Sequence, residues 1–141
     1  MNTYTDTSLL VSLYLTDVHT AEAERRLASR PATWLTPLHV AEWTHAVEQH
    51  VFRGAISRKE GDLCHLRFRE HRENGVWAEV ALPETAFELC AQLGRRHGSQ
   101  LGQRTLDTLH VAVALELKAD LFWTFDVRQA RLARAAGLKT E

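Results

Sequence analysis

The sequence contains no apolar run long enough to cross a membrane and no large excess of charge of either sign. A membrane-spanning helix needs about 18 or more apolar residues, whereas the apolar run at residues 9–15 is short and lacks a basic leader. We therefore expect no membrane span and no secretory signal. The formal net charge of −1 also argues against binding nucleic acid through overall basic charge.

Cysteine and lysine are scarce as well. The two cysteines, Cys64 and Cys90, are far apart and form no CxxC pair, so we expect reduced thiols in a cytoplasmic protein. Lysine supplies three of the 17 basic residues. The remaining arginines suit bidentate contacts with phosphate, although genome base composition alone could produce the same bias. The length of 141 residues, without repeats or linkers, favours one domain spanning residues 1–141.

Short β-prone segments alternate with helical segments along the chain. The strand candidates are residues 3–5, 32–35, 76–82 and 121–125, with a further short strand expected after Gly137. Thr36 followed by Pro37 is typical of a helix start, as is the segment 57–60, whereas residues 98–103 are expected to form a polar loop. This alternation predicts an α/β fold with a parallel sheet covered on both faces, in which sites lie beyond the carboxyl ends of strands.

Two acidic residues occupy positions where such a site is expected, and two further acids lie on predicted helices. Asp6 follows the first strand candidate and Asp126 follows the last of the four, and each also precedes a helix. Asp107 lies in the first turn of a helix that is apolar over most of its circumference. Glu42 lies on the third predicted helix, away from its apolar stripe. These positions predict that at least Asp6 and Asp126 lie at the same kind of strand end.

Each of these acids also has a simpler explanation. Asp6 and Asp126 could cap their helices, which stabilises a helix by about 1 kcal/mol. Asp107 could favour the positive end of its helix or pair with Arg104, one turn earlier. Glu42 could be a solvated helix acid. Taken singly, the acids are adequately explained by helix electrostatics. A catalytic role therefore requires that several of them lie close together in the folded chain.

The chemistry of clustered carboxylates favours a bound cation. Carboxylates without a counter-charge raise one another's pKa, and each pKa unit corresponds to about 1.4 kcal/mol. Mg²⁺ and Mn²⁺ prefer hard oxygen ligands, and Mg²⁺ usually takes one or two carboxylates together with water and substrate phosphate. Because water on such a metal is a usable nucleophile near neutral pH, the acids predict metal-dependent phosphodiester hydrolysis without a histidine base.

Four segments of the sequence, taken in order, resemble the PIN domain family. They are Asp6-Thr7-Ser8 after a short strand, Glu42 five residues after Pro37, the run 107–114, and Thr124-Phe125-Asp126 followed by Gln129. One such motif is weak, because an aspartate after a strand is common. Four at the spacing of the family are specific, and they cover essentially the whole chain, whose size resembles that of stand-alone VapC-type toxins.

The resemblance implies a three-layer α/β/α fold with a central parallel sheet of four or five strands. It further implies an Mg²⁺- or Mn²⁺-dependent endoribonuclease of the VapC toxin type. The implied partners are an RNA substrate, a cognate VapB-type antitoxin and a second copy of the chain in a homodimer. The implied metal ligands and catalytic residues are Asp6, Glu42, Asp107 and Asp126. The residues expected to support them or to contact substrate are Ser8, Thr124, His110 and Arg104.

Some of these assignments have alternatives. Ser8 and Thr124 could be ordinary turn residues, and His110, three residues after Asp107, could be a hydrogen-bonded core histidine rather than a group that orients the carboxylate. Arg128 stands where some relatives carry another acid, so we expect one firmly bound metal rather than two. A smaller departure is Thr108, which stands where alanine is usual.

Two other functions remain open at this point. The chain could be a catalytically weak PIN-like module that binds RNA or an antitoxin with little turnover. It could also resemble a haloacid-dehalogenase-type phosphatase, a class that likewise begins with an aspartate after a strand. That class requires a second aspartate two residues after Asp6, and the sequence has Ser8 there, so we set it below the other two.

Overall fold

The computed structural model describes residues 2–29 and 33–141, which are mostly helical. The strands are β1 (Thr3–Thr5), β2 (Trp34–Leu35), β3 (Ala78–Glu79) and β4 (Leu121–Trp123). The helices are α1 (Thr7–Tyr14), α2 (Thr20–Ser29), α3 (Pro37–Phe52), α4 (Arg58–Glu73), α5 (Thr85–Leu101), α6 (Thr105–Glu116) and α7 (Val127–Ala135). Both strand pairs in this part of the chain are parallel, as predicted. Within the same residues, no helix is long and apolar enough to span a membrane.

The chain divides into two compact units. Unit 1 comprises Met1–Asp6 and Ala81–Glu141, and unit 2 comprises Thr7–Val80. Each unit holds one of the parallel strand pairs, β1 with β4 in unit 1 and β2 with β3 in unit 2. That residues 1–141 form one domain stays a prediction.

Unit 1 is built around the pair β1–β4 and the buried helix α6. Tyr4 lies opposite Phe122 in the register, and their rings stack with centroids 5.8 Å apart. Helix α6 is apolar on nearly every side and packs against α5 and α7, which is why a run of seven residues from Thr108 onward is buried. β1 and β4 run in the same direction, so their carboxyl ends emerge at the same edge.

Unit 2 has its own aromatic core. Trp43 of α3 stacks on Phe68 of α4 with ring centroids 4.1 Å apart, and Tyr14 packs edge-on against both rings. The predicted helix starts are confirmed. Thr36 caps α3 with proline at the next position, and Ser57 forms a capping box with Glu60 at the start of α4.

Several boundaries differ from the sequence-based prediction. Residues 98–101 continue α5 instead of forming a loop, and the helix ends at Gly102, whose φ of 64° places it in the left-handed region. Polar residues and glycine on the exposed face of a helix lower the stability of the helix, but they do not have to end it. The predicted strand 76–82 is reduced to β3. In the candidate 32–35, β2 starts at Trp34, and Ala32 lies outside the described residues.

The short final strand expected after Gly137 is reduced to an isolated parallel bridge that joins Phe122 to Thr140. Cys64 and Cys90 are both free and buried, and burial raises the pKa of each thiol. A raised pKa lowers the thiolate fraction near neutral pH and makes these cysteines poor nucleophiles.

Candidate active site

Asp6 and Thr124 meet where β1 and β4 end. Thr5 lies opposite Trp123 in the register, so the next residue of each strand emerges from the same edge. The Thr124 hydroxyl lies 3.1 Å from Asp6 Oδ2 as a hydrogen-bond donor, and the Asp6 backbone N–H donates to the Trp123 carbonyl at 3.1 Å. Only 7% of Asp6 and 6% of Thr124 is exposed, so the carboxylate has a fixed position rather than a solvated one.

Gln129 connects this pair to the start of α6. Its Oε1 lies 2.7 Å from the Thr124 hydroxyl, and its Nε2 donates to the backbone carbonyl of Asp107 at 3.2 Å. The Asp126 backbone N–H donates to the same Thr124 hydroxyl at 3.0 Å. Because Gln129 is completely buried, water cannot replace these bonds. The side chains of Thr124 and Gln129 therefore hold together three segments that each carry one of the predicted aspartates.

Asp126 is an exposed helix cap. Its Oδ1 accepts from the backbone N–H groups of Arg128 at 2.8 Å and Gln129 at 3.1 Å, so the capping role considered from sequence is present. Both bonds use Oδ1, which leaves Oδ2 as the oxygen that a cation could bind. A cap and a metal ligand are therefore compatible roles for this side chain.

Asp107 lies on the same cleft as Asp126. Arg104 Nε donates to Asp107 Oδ2 at 3.2 Å, but 86% of the arginine side chain is exposed, compared with 23% of the aspartate. A pair this exposed is screened by solvent and contributes little stability. The cleft has a volume of about 310 Å³, and we call it the acid cleft. Its lining residues are Gly102, Gln103, Arg104, Asp107, Asp126 and Arg128.

Glu42 and Ser8 lie in unit 2. Glu42 is half-buried, and its Oε1 accepts a hydrogen bond of 2.8 Å from the hydroxyl of Thr7, which is 7% exposed. Glu42 is thus held by a buried partner and differs from the solvated acid considered as its simpler explanation. Ser8 is exposed. The roles of both residues in catalysis stay predictions.

His110 is a buried residue of α6. Its Nδ1 lies 2.7 Å from the Tyr4 hydroxyl, and 2% of the residue is exposed. The two rings also pack at a tilt of 59°. This geometry favours the core-histidine alternative over a group that orients Asp107.

The donor set of the acid cleft fits a hard divalent cation. No group of three or more histidine, cysteine or acidic residues that could hold a metal ion occurs in residues 2–29 and 33–141. Mg²⁺ does not require such a cage, since it usually takes one or two carboxylates and completes its shell with water and substrate phosphate. Asp107 and Asp126 supply two carboxylates to one cleft. The positive charges of Arg104 and Arg128, which line the same cleft, oppose a cation there and favour phosphate.

Two residues that contact predicted site residues had no strong signal in the sequence. Thr7, whose partner is Glu42 in unit 2, is one of three consecutive polar residues after β1. Gln129 is the third residue after the Asp126 cap, the position at which a capping box places Glu or Gln, so the local pattern indicated a cap. In the structure its side chain instead reaches Thr124 and Asp107, and no local sequence signal reports such distant partners.

Comparisons with known proteins agree with the resemblance found in the sequence. The PIN domain model matches residues 3–135, and no curated protein sequence matches the chain. VapC20 of Mycobacterium tuberculosis, described as a sarcin-ricin loop cleaving toxin, is 17% identical, with 96% of this chain and 95% of that chain covered and a TM-score of 0.71.

Two further solved structures are similar as well. FitAcB from Neisseria gonorrhoeae is 18% identical, with coverage of 98% and 95% and a TM-score of 0.70. VapBC2 from Rickettsia felis, bound to a DNA fragment from its promoter, is 14% identical, with coverage of 100% and 98% and a TM-score of 0.68. At such low identity these likenesses show the fold alone, an α/β fold with parallel strands.

Proposed function

Because the chain belongs to the PIN domain family, we propose that it is a metal-dependent endoribonuclease of the VapC toxin type. The observation that carries the proposal is the acid cleft, where Asp107 and Asp126 meet at the starts of two helices. Asp6 is joined to both through the hydrogen bonds of Thr124 and Gln129. Carboxylate oxygens are the hard ligands that Mg²⁺ and Mn²⁺ prefer.

In this proposal the chain holds the cation and positions the RNA. Asp6, Asp107 and Asp126 supply the ligand oxygens, whereas the role of Glu42 rests on the sequence pattern alone. A bound Mg²⁺ or Mn²⁺ supplies Lewis acidity and lowers the pKa of water at the phosphodiester. Arginines at the rim of the acid cleft suit contacts with RNA phosphates, because the guanidinium group binds phosphate in a bidentate manner.

The proposal is tested by removing the charge of one carboxylate at a time. Asp6→Asn and Asp107→Asn should each abolish cleavage of single-stranded RNA while the circular dichroism spectrum and melting temperature stay close to those of the wild type. Asp62→Asn is the matched control, because Asp62 is an exposed acid that pairs with Arg58, and it should cleave normally. If the Asp6→Asn protein cuts RNA at the wild-type rate, the assignment is wrong.

A second candidate is a module that binds RNA or antitoxin with little turnover. It is favoured by the lack of a group of three metal-binding side chains among the described residues. Titration with Mn²⁺ discriminates between the two. If the chain is a nuclease, it should bind Mn²⁺, and Asp107→Asn should weaken that binding. If it is a binding module, Mn²⁺ binding should not depend on the acidic residues, and Asp107→Asn should bind RNA or antitoxin like the wild type.

The proposed partners follow from the same comparison. The VapBC2 structure is of a complex bound to promoter DNA, so we propose a VapB-type antitoxin as the partner of this chain, in the cytoplasm, together with a homodimer of the chain itself. Co-expression with a short reading frame, if one adjoins the gene, tests the antitoxin, since a true pair should copurify and lose RNA cleavage. Light scattering of the purified chain tests the dimer.

A further inference from the structure

We propose that Gln129 is a positioning residue that determines which oxygen accepts the Thr124 hydroxyl proton and thereby how strongly Asp6 binds a cation. The inference rests on the proposed function and adds to it a control of metal affinity that lies outside the set of carboxylates. It is carried by the hydrogen bonds that meet at the Thr124 hydroxyl.

The Thr124 hydroxyl has more acceptors around it than it has protons. Asp6 Oδ2 lies 3.1 Å away and Gln129 Oε1 lies 2.7 Å away, both placed to accept. A threonine hydroxyl has one proton, so it can donate to only one of them at a time. The Asp126 backbone N–H is itself a donor to the Thr124 oxygen, at 3.0 Å. It therefore cannot accept the hydroxyl proton and does not add a third acceptor.

The orientation of the Gln129 amide is fixed by its other end. Nε2 donates to the Asp107 carbonyl at 3.2 Å, and a turn of the amide would place two carbonyl oxygens against each other at that point. Oε1 must therefore face Thr124 as an acceptor. With Gln129 completely buried, no solvent molecule can take over this role.

The two acceptors respond differently to a cation. An ionised Asp6 attracts the hydroxyl proton strongly, because hydrogen bonds to charged acceptors are the stronger ones. With a cation bound at Asp6 the carboxylate would be a weaker acceptor, and the Thr124 hydroxyl would donate to the Gln129 carbonyl instead. If that second acceptor is removed, the hydroxyl can donate only to Asp6, and its hydrogen bond would compete with the cation for the electron density of the carboxylate.

The test is a double-mutant cycle read by Mn²⁺ affinity. Gln129→Met keeps the size of the side chain and removes both hydrogen bonds, and it should raise the Kd for Mn²⁺ by about 10- to 100-fold, the usual effect of losing a group that supports a metal ligand. In a Thr124→Val background, where no hydroxyl proton exists, the same substitution should change the Kd by less than about threefold. Thr124→Ser keeps the hydroxyl, so in that background Gln129→Met should again raise the Kd by about 10- to 100-fold.

A purely structural role of Gln129 predicts a different result. If Gln129 served only to hold the Asp107 backbone, its loss would weaken binding equally with and without the Thr124 hydroxyl. Ser12→Ala is the matched control for losing a buried hydrogen bond, since the Ser12 hydroxyl donates to Asp17 at 2.8 Å in unit 2, and it should leave the Kd unchanged.

A metal-free measurement covers the case in which Gln129→Met does not fold. The Gln129 side-chain amide protons of the wild type should exchange slowly with solvent, and their NMR shifts should move in Thr124→Val. Fast exchange of these amide protons in the wild type would overturn the inference about Gln129 but not the proposed function. Additive effects of Gln129→Met and Thr124→Val on the Kd for Mn²⁺ would do the same. A wild-type chain that binds no Mn²⁺ would overturn the proposed function as well.

Discussion

The Thr124 hydroxyl lies within hydrogen-bond distance of Asp6 Oδ2, at 3.1 Å, although the two residues are 118 positions apart in sequence. The contact follows from the parallel pairing of β1 with β4, which brings the first and last predicted aspartates to one edge. It explains why Asp6 is buried and still suited to bind a ligand, since its carboxylate has a polar neighbour at the end of a buried strand pair.

Substitutions at Asp126 should separate capping from metal binding. Asparagine is as good a helix cap as aspartate, whereas alanine cannot accept the two backbone hydrogen bonds. Asp126→Asn should therefore keep the wild-type free energy of unfolding, and Asp126→Ala should lower it by about 1 kcal/mol. Both should lose RNA cleavage. Full activity of Asp126→Asn would show that Asp126 is only a cap.

The Thr7 hydroxyl should matter through Glu42. Thr7→Val keeps the shape of the side chain and removes the 2.8 Å bond to Glu42, at a cost of about 1 kcal/mol in the free energy of unfolding. If Glu42 takes part in cleavage, Thr7→Val should lower kcat, and the loss should disappear when Glu42→Gln is already present. Independent effects in this cycle would contradict a shared role.

Arg128 should oppose metal binding and favour RNA binding. It lines the acid cleft with Asp107 and Asp126, so Arg128→Gln removes a positive charge that repels the cation. Mn²⁺ affinity should rise, RNA affinity should fall, and the slope of log affinity against log salt concentration should shrink by about 0.7 to 1. Arg131→Gln, an exposed arginine of the same helix, should leave Mn²⁺ affinity unchanged. Parallel changes in both affinities would contradict this electrostatic role.

Tyr14 should make unit 2 sensitive to alkaline pH. Burial raises the pKa of Tyr14 to about 12, against an opposing hydrogen bond from Trp77. The unfolded chain loses this proton near pH 10, so the stabilisation is complete below that pH and is lost as pH rises toward 12. The melting temperature of the wild type should fall more steeply across this window than that of Tyr14→Phe. If the melting temperatures of the two proteins fell in parallel, the pKa of Tyr14 would not change on folding.

The sequence predicted the parts of the site that depend on local rules. Asp6 and Asp126 each follow a strand and precede a helix, and the pattern of β-prone residues and helix caps is enough to place them. The apolar helix with Asp107 in its first turn was predicted for a similar reason. Glu42 was found only through the family resemblance, because an acid off the apolar stripe of a helix has no distinctive local signal.

The remainder depends on distances that a linear pattern does not contain. Gln129 occupies a capping-box position, yet its partners are Thr124 and the backbone of Asp107, 22 residues away. His110 carries the spacing of a group near Asp107, but its Nδ1 lies 2.7 Å from the hydroxyl of Tyr4 in the core. The strand lengths were overestimated at 76–82 because burial and pairing, rather than β-propensity, determine where a strand ends.

The most direct test of metal-dependent RNA hydrolysis is cleavage of a labelled single-stranded RNA across a Mn²⁺ titration, with analysis of the product ends. Cleavage should be absent in excess EDTA, should rise with Mn²⁺, and should leave a 5′-phosphate and a 3′-hydroxyl, because water attacks the phosphorus. Cleavage that persists in EDTA, or products ending in a 2′,3′-cyclic phosphate, would contradict the proposal.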